Sequence, residues 1–171
     1  MKIIDFDPDE IISRTRKENH ALALGKFEKV QGFDLLIRSW IDIKRELIII
    51  GDGPEYKTLK ELIKSLNLDN KINLKNLMPR ENVLQELAKA KVFILSSIDD
   101  SGTQTALEAL ALNTPVLSTN VGCMDSIFPD ELLVKPNNQV MLKEFLDRYV
   151  DHIDFINQKS IFEYVLEEFY S

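Results

Sequence analysis

The sequence has little cysteine, histidine or glycine. Its 171 residues include one cysteine, two histidines and six glycines. The single cysteine, Cys123, cannot form a disulfide within the chain, so we expect burial alone to hold the fold in a reducing compartment. The same scarcity argues against a metal site built from His or Cys, and neither His20 nor His152 stands where it would activate Cys123 as a nucleophile. We therefore expect neither a metal ion nor cysteine catalysis.

Positive charge and long apolar runs are also scarce. The chain has 21 Lys and Arg residues against 28 Asp and Glu, a formal net charge of -7, which argues against a nucleic-acid backbone as partner. The acidic first 20 residues do not resemble a secretory signal. The longest strand-like runs, LIII and VFIL, are far shorter than the ~20 residues needed to cross a bilayer. We expect a cytoplasmic protein with at most peripheral contact with a membrane.

Short aliphatic runs alternate with amphipathic stretches along most of the chain. We predict strands at 20–25, 47–50, 71–74, 92–96, 115–118 and 132–135. We predict helices at 33–43, 55–66, 80–89, 103–112, 139–149 and 158–169. Strands without alternation are typical of parallel sheets that are covered on both faces. The predicted fold is α/β, a Rossmann-like three-layer open sheet of about six parallel strands, with ligands at the C-terminal ends of the strands.

Glu108 is the most unusual residue of the predicted helices. It lies in ALEALAL, where an ionised carboxylate would cost several kcal/mol if it were buried without a partner. The simpler interpretation is that the helix turns Glu108 towards water or a lysine. The preceding loop favours a binding site instead, because it ends a strand and opens a helix, whose first N–H groups and dipole attract an anion. A carboxylate near an anion site suits a sugar nucleotide, whose ribose offers hydroxyl donors.

The segment SSIDDSGTQTALEALALNTPVLSTNVG resembles the hallmark of family 4 retaining glycosyltransferases of the GT-B fold, also called glycosyl transferases group 1. HALALGKFEKVQGFDLLI and ELIIIGDGPEYKTLKELI resemble two further runs of that family, in the same order. The resemblance covers about residues 20 to 150, which we interpret as the nucleotide-sugar-binding domain. It implies an interdomain linker at 1–19, a segment whose composition fits a linker or a loose helix, and a closing helix within 151–171. That helix would pack either towards a separate N-terminal domain or on this domain's own sheet.

The resemblance also implies roles for individual residues. Asp100, eight positions before Glu108, matches the family's first acid and would contact the donor sugar, and Asp99 takes that role if the loop is shifted by one. Glu108 would bind the ribose. The implied donor-binding residues are Gly25, Lys26, Lys29, Gly102, Thr103 and Glu108.

Several positions depart from the family pattern. Gln31 stands where the family has a second diphosphate-binding cation, and Lys29 is the candidate replacement, although both nearby lysines also fit ordinary solvated loop charges. Asn76, Asn113 and Cys123 replace glycines. Each replacement removes some backbone freedom, and Asn tolerates the left-handed region best. These departures put diphosphate affinity in doubt.

The implied reaction is transfer of a hexose from a UDP- or GDP-linked sugar to a hydroxyl acceptor, with retention of configuration and without a metal. Lipopolysaccharide, capsule or another surface glycan is the implied product, and a missing N-terminal acceptor domain is the implied partner, without which this half would be inactive. The alternative is a diverged, non-catalytic binding or adaptor module of the same fold. An unrelated nucleotide-binding domain is disfavoured, because no Gly-x-Gly-x-x-Gly or Walker-type loop follows the first strand.

Overall fold

Six parallel strands form one sheet in the computed structural model, which describes residues 4–99, 102–155, 163 and 167. The strands are β1 Ala21–Leu24, β2 Leu47–Gly51, β3 Ile72–Asn76, β4 Val92–Leu95, β5 Val116–Thr119 and β6 Leu133–Val134. Their order is β3-β2-β1-β4-β5-β6, and every neighbouring pair is parallel. This order confirms the predicted Rossmann-like sheet and all six predicted strands.

Helices cover both faces of the sheet. They are α1 Pro8–Ser13, α2 Phe33–Ser39, α3 Tyr56–Ser65, α4 Arg80–Lys89, α5 Thr103–Ala111, α6 Met124–Ile127 and α7 Gln139–Tyr149. Ala21 and Ala23 of β1 belong to a first core with α2, α3 and α7, whereas Leu22 belongs to a second core with α4, α5 and α6. Because both faces are covered, β4 and β5 are buried at every position, as the unbroken apolar run of β4 predicts.

The helix boundaries differ from the sequence-based prediction in a few places. Helices α4 and α7 match it fully, whereas α2 ends four residues before the predicted end, at Ser39, and α5 ends at Ala111. The short α6 was not predicted, because four residues are too few to show a helical period. The predicted helix at 158–169 lies outside the described residues, apart from Glu163 and Glu167. Across the described residues, no helix is long and apolar enough to span a bilayer.

The N-terminal segment, residues 4–19, is packed against the rest of the domain. Asp7 caps α1 by accepting hydrogen bonds from the N–H groups of Asp9 (3.0 Å) and Glu10 (3.4 Å). Helix α1 contacts α4, and the Lys17 ammonium donates to the Ala90 carbonyl oxygen at 2.9 Å. The apolar residues that pack against the second core are Ile4, Phe6, Ile11 and Ile12. The segment predicted as a linker is therefore anchored to this domain, and its position between two domains stays a prediction.

His20, which precedes β1, makes stability sensitive to acid. It is 5% exposed, and its Nε2 is buried without a partner among the described residues. Burial lowers the pKa of His20 below its usual 6.5, against the opposing effect of Glu18. The unfolded chain therefore takes up a proton that the folded protein resists, so stability falls as the pH drops from 6.5 towards the folded pKa.

We expect His20→Leu to flatten this dependence. Urea unfolding between about pH 7 and pH 5 should give a smaller loss of unfolding free energy for the variant than for the wild type. His152→Leu is the matched control, because His152 is exposed. Equal slopes for His20→Leu and the wild type would contradict the buried neutral imidazole.

Candidate active site

The loops that follow β1 and β4 meet in the middle of the sheet. These strands are neighbours but not consecutive, so the strand order reverses between them, and such points open a crevice at the C-terminal edge of a parallel sheet. The Ser96 hydroxyl donates to the Gln31 carbonyl oxygen at 2.8 Å, and the Ile98 N–H donates to the Val30 carbonyl oxygen at 2.8 Å. The two loops are therefore bonded to each other directly.

Two glycines allow the backbones at the crevice to approach this closely. Gly32 has a left-handed φ of 66°, and a Cβ atom there would lie 2.3 Å from the Ser96 carbonyl oxygen. At Gly51, the end of β2, a Cβ atom would lie 1.8 Å from the Gly25 carbonyl oxygen. No side chain fits at either distance, so both positions require glycine. The GDGP run at residues 51–54 would be a weak turn signal in isolation. Here it packs against the loop that follows β1.

The loop after β1 carries Gly25 and Lys26. The Gly25 N–H donates to the Ile50 carbonyl oxygen at 3.1 Å. Two residues later, the Phe27 N–H donates to the Asp52 carbonyl oxygen at 2.6 Å, and the Phe27 carbonyl oxygen accepts from the Glu55 N–H at 2.8 Å. Lys26 lies between these anchors and its side chain is exposed. The backbone that presents Lys26 is therefore fixed, while the ammonium group remains accessible to a ligand.

Lys29 lies elsewhere. It lines a groove of about 460 Å³ between α2 and α3, together with Glu28, Asp34, Glu55 and Glu61 among others. The acidic residues of this groove offset the positive charge that Lys29 was predicted to supply to a diphosphate. Its role as the replacement for the missing cation stays a prediction.

Gln31 is buried under the crevice. It is 8% exposed, and its side-chain carbonyl oxygen accepts a hydrogen bond from the Ser97 hydroxyl at 3.3 Å. The same oxygen would lie 2.6 Å from a Cβ atom at Gly25. The Gln31 amide therefore fills the space beneath Gly25, where a cation at this position would have to be buried.

Helix α5 begins at the crevice. Its N-cap is Gly102, with a left-handed φ of 106°, and its first residue is the half-buried Thr103. The loop before it is tied to β5, because the Thr119 hydroxyl donates to the Ser97 carbonyl oxygen at 2.7 Å. Asp99 is exposed in this loop, and Asp100 lies outside the described residues. The first N–H groups of α5 therefore point towards the edge where a parallel sheet binds its ligand.

Glu108 is buried, and the compensation that its burial requires is present. The residue is 3% exposed, and its Oε1 accepts a hydrogen bond from Nη2 of Arg80 at 2.8 Å. The Gln104 amide also donates to Oε1, at 3.4 Å. The interpretation that Glu108 turns towards water or a lysine is wrong, because the helix buries the carboxylate against an arginine.

Sequence reasoning missed Arg80, although a signal was available. Arg80 is the first residue of α4, directly after the N-cap Pro79, and a cation there opposes the helix dipole. A cation in that position therefore suggests a nearby anion. The same Nη2 also donates to Asp5 Oδ1 at 2.5 Å, and the hydrogen bonds with Glu108 and then Asp5 raise the pKa of Arg80 above its usual value.

The replaced glycines leave the fold intact for different reasons. Asn113 is left-handed, with a φ of 58°, as predicted for an asparagine in place of glycine. Asn76 is the last residue of β3 and Cys123 has a φ of -97°, so neither needs the freedom of glycine. In the turn that contains Cys123, the left-handed residue is its neighbour Gly122.

Within the described residues, no group of three or more potential metal ligands occurs.

Comparisons with known proteins identify the family to which the chain belongs. The family model for glycosyl transferases group 1 matches residues 7–156. The GPI3 subunit of phosphatidylinositol N-acetylglucosaminyltransferase from Saccharomyces cerevisiae is 25% identical over 169 residues, an alignment that covers 92% of this chain and 37% of the yeast protein. This chain thus spans little more than a third of that relative.

Solved structures share the fold at lower identity. A TarM mutant of S. aureus in complex with ligands that include UDP has a TM-score of 0.79 and 18% identity, covering 100% of this chain and 35% of that one. The C-terminal domain of the group 1 family protein LpcC from Francisella tularensis has a TM-score of 0.74 and 17% identity, covering 97% and 94%. The chain therefore belongs to glycosyl transferases group 1 and has the fold of a C-terminal domain of that family.

Proposed function

We propose that this chain binds a UDP- or GDP-linked sugar and presents it for transfer of a hexose to a hydroxyl acceptor, with retention of configuration. The acceptor would be held by an N-terminal domain, and the reaction would take place in the cytoplasm during assembly of a surface glycan. TarM, which shares the fold, was crystallised with UDP, and the yeast relative is named for N-acetylglucosaminyl transfer. Both matches support a nucleotide-sugar donor for this chain.

The buried carboxylate of Glu108 is the observation that carries the proposal. It lies in the middle of α5, and the two hydrogen bonds that it accepts from other described side chains both end on Oε1. A carboxylate accepts through two oxygens, so hydroxyl groups of a ribose are suitable donors for the other oxygen. The N-terminus of α5, at Gly102 and Thr103, would then receive the diphosphate about one and a half turns away.

The chemistry that we propose is electrostatic. When the bond between sugar and diphosphate breaks, negative charge grows on the leaving phosphate. The α5 N-terminus and the exposed ammonium of Lys26 would stabilise that charge, a contribution that is often the largest in catalysis. Asp100, or Asp99 in a shifted loop, would orient the donor sugar by accepting hydrogen bonds from its hydroxyls.

Calorimetric titration with UDP, GDP and their sugar conjugates tests the proposal. We expect one of these nucleotides to bind, and Glu108→Gln to weaken that binding by about ten-fold or more, because a hydrogen bond to a charged group contributes about 1.5–3 kcal/mol. Glu144→Gln removes the same charge from an exposed position on α7 and should leave the affinity unchanged. An affinity in Glu108→Gln equal to that of the wild type would exclude Glu108 from the site.

Buried Gln31 favours a second candidate function, a non-catalytic binding module. A neutral amide occupies the position where the family resemblance implies a cation, so the site has less positive charge for a leaving diphosphate. Mixing this chain with a separately expressed N-terminal domain decides between the two functions. Sugar transfer by the mixture would establish the enzyme, whereas nucleotide binding without transfer would establish the module.

A further inference from the structure

One guanidinium nitrogen joins the N-terminal segment to the buried carboxylate of the site. Nη2 of Arg80 donates to Oδ1 of Asp5 at 2.5 Å and to Oε1 of Glu108 at 2.8 Å. These contacts connect three parts of the chain, the residues before α1, the start of α4 and the middle of α5. Asp5, Arg80 and Glu108, which we call the acid–arginine–acid bridge, thus link residues far apart in sequence.

The outer end of the bridge has a fixed backbone. Asp5 is exposed, but its neighbours Ile4 and Phe6 pack against the second core. Asp7 then caps α1, which holds the following residues in place. The hydrogen bond from Arg80 keeps the pKa of the Asp5 carboxyl below its usual value, so Asp5 remains charged at neutral pH. An anion is therefore held beside Arg80 by the packing of its apolar neighbours.

This outer contact contributes little to folding. Ion pairs between exposed groups are screened by water, and the Arg80 side chain is 48% exposed. An arginine has several rotatable bonds, however, and a second carboxylate on the same nitrogen restricts its rotamers. The expected effect of Asp5 is thus on the position of the guanidinium, and through it on the position of the Glu108 carboxylate.

We propose that Arg80 and Asp5 are positioning residues of the nucleotide site. Arg80 holds Glu108 by Oε1, so that its other oxygen is oriented for the ligand, and Asp5 holds Arg80. The inference rests on the proposed function, in which Glu108 binds the nucleotide. It makes Asp5, which precedes α1, part of the donor site through its contact with Arg80.

Nucleotide affinity in a set of variants tests the bridge. The probe is whichever of UDP and GDP the wild type binds more tightly. We expect Asp5→Asn to weaken binding roughly three- to ten-fold, as for residues coupled within one hydrogen-bond network, with an unfolding midpoint equal to that of the wild type. Asp9→Asn is the matched control, because it removes the same charge from an exposed residue four positions away.

A role through Arg80 has a further signature. Arg80→Met should weaken nucleotide binding more than Asp5→Asn does. Arg80→Lys should bind more tightly than Arg80→Met, because lysine keeps the positive charge but lacks the planar guanidinium. Adding Asp5→Asn to Arg80→Lys or Arg80→Met should change affinity less than it does in the wild type, since Asp5 acts on the site only through the guanidinium. The comparison in Arg80→Lys remains available if Arg80→Met does not fold.

The outcomes separate the two proposals. If Glu108→Gln loses affinity while Asp5→Asn binds like Asp9→Asn, the bridge is overturned and the proposed function stands. If Asp5→Asn weakens binding equally with and without Arg80, the effect is one of general charge and the bridge is again overturned. If the wild type binds neither UDP nor GDP, the proposed function fails, and the bridge fails with it.

Discussion

Gly51→Ala should lower the unfolding free energy by about 3–5 kcal/mol, or prevent folding altogether, because the new methyl group meets backbone rather than a movable side chain. The Cβ atom would lie 1.8 Å from the Gly25 carbonyl oxygen and 3.1 Å from the Phe27 ring. Relief would require separating β1 from β2, whose register pairs Leu24 with Ile50 at this end. Urea denaturation followed by circular dichroism measures the loss.

Asn76→Ala is the matched control for this variant. Asn76 is the partner of Gly51 in the register between β2 and β3, and its side chain is exposed. A surface substitution of this kind should change the unfolding free energy by no more than ~0.5 kcal/mol. Comparable stability of Gly51→Ala and Asn76→Ala would show that the loop after β1 does not pack on β2 as described.

Arg80→Met should be the second most damaging change, with a loss of about 2–3 kcal/mol in unfolding free energy at neutral pH. Removing one partner of a buried ion pair typically costs ~3–5 kcal/mol, and we expect less here because Arg80 is about half exposed. The loss arises at Glu108, which is 3% exposed and would be left without its arginine partner. Chemical denaturation at pH 7 provides the measurement.

A double mutant tests the origin of this loss. Arg80→Met combined with Glu108→Gln removes both charges and should be more stable than Arg80→Met alone. Arg14→Met is the control for losing an arginine, since the ion pair of Arg14 with Glu10 is exposed on both sides. If the double mutant is no more stable than Arg80→Met, the loss comes from packing of the arginine side chain and not from the unpaired carboxylate of Glu108.

The sheet could be predicted because the composition of its strands is distinctive. Runs such as VFIL and LIII do not alternate between apolar and polar residues, because both faces of each strand are covered. This lack of alternation identified the class of fold. The ends of helices were harder to predict. Helix α2 stops at Ser39, although apolar residues at helical spacing continue to Ile43, because Trp40 and Ile43 are buried in a turn after the helix.

Individual residues of the candidate site could be predicted from the sequence, but the contacts between them could not. The sequence identified Glu108 as a carboxylate in need of compensation, from its apolar neighbours alone. It did not identify Arg80, because the partner lies 28 residues away on another helix, and only the tertiary fold brings the two together. The family resemblance implied a diphosphate ligand for Lys29. The turn Lys29–Gln31 places this residue at the groove between α2 and α3, and its role stays a prediction.

The close contacts at Gly32 and Gly51 have a consequence for how fast and how tightly a ligand binds. Carbonyl oxygens occupy the space above both glycines, and hydrogen bonds between protein groups join the loops to each other. The conformational entropy of this backbone is thus lost during folding and not during association. For the proposed nucleotide ligand the crevice would therefore be a preorganised receptor, and binding would not require a rearrangement of these contacts.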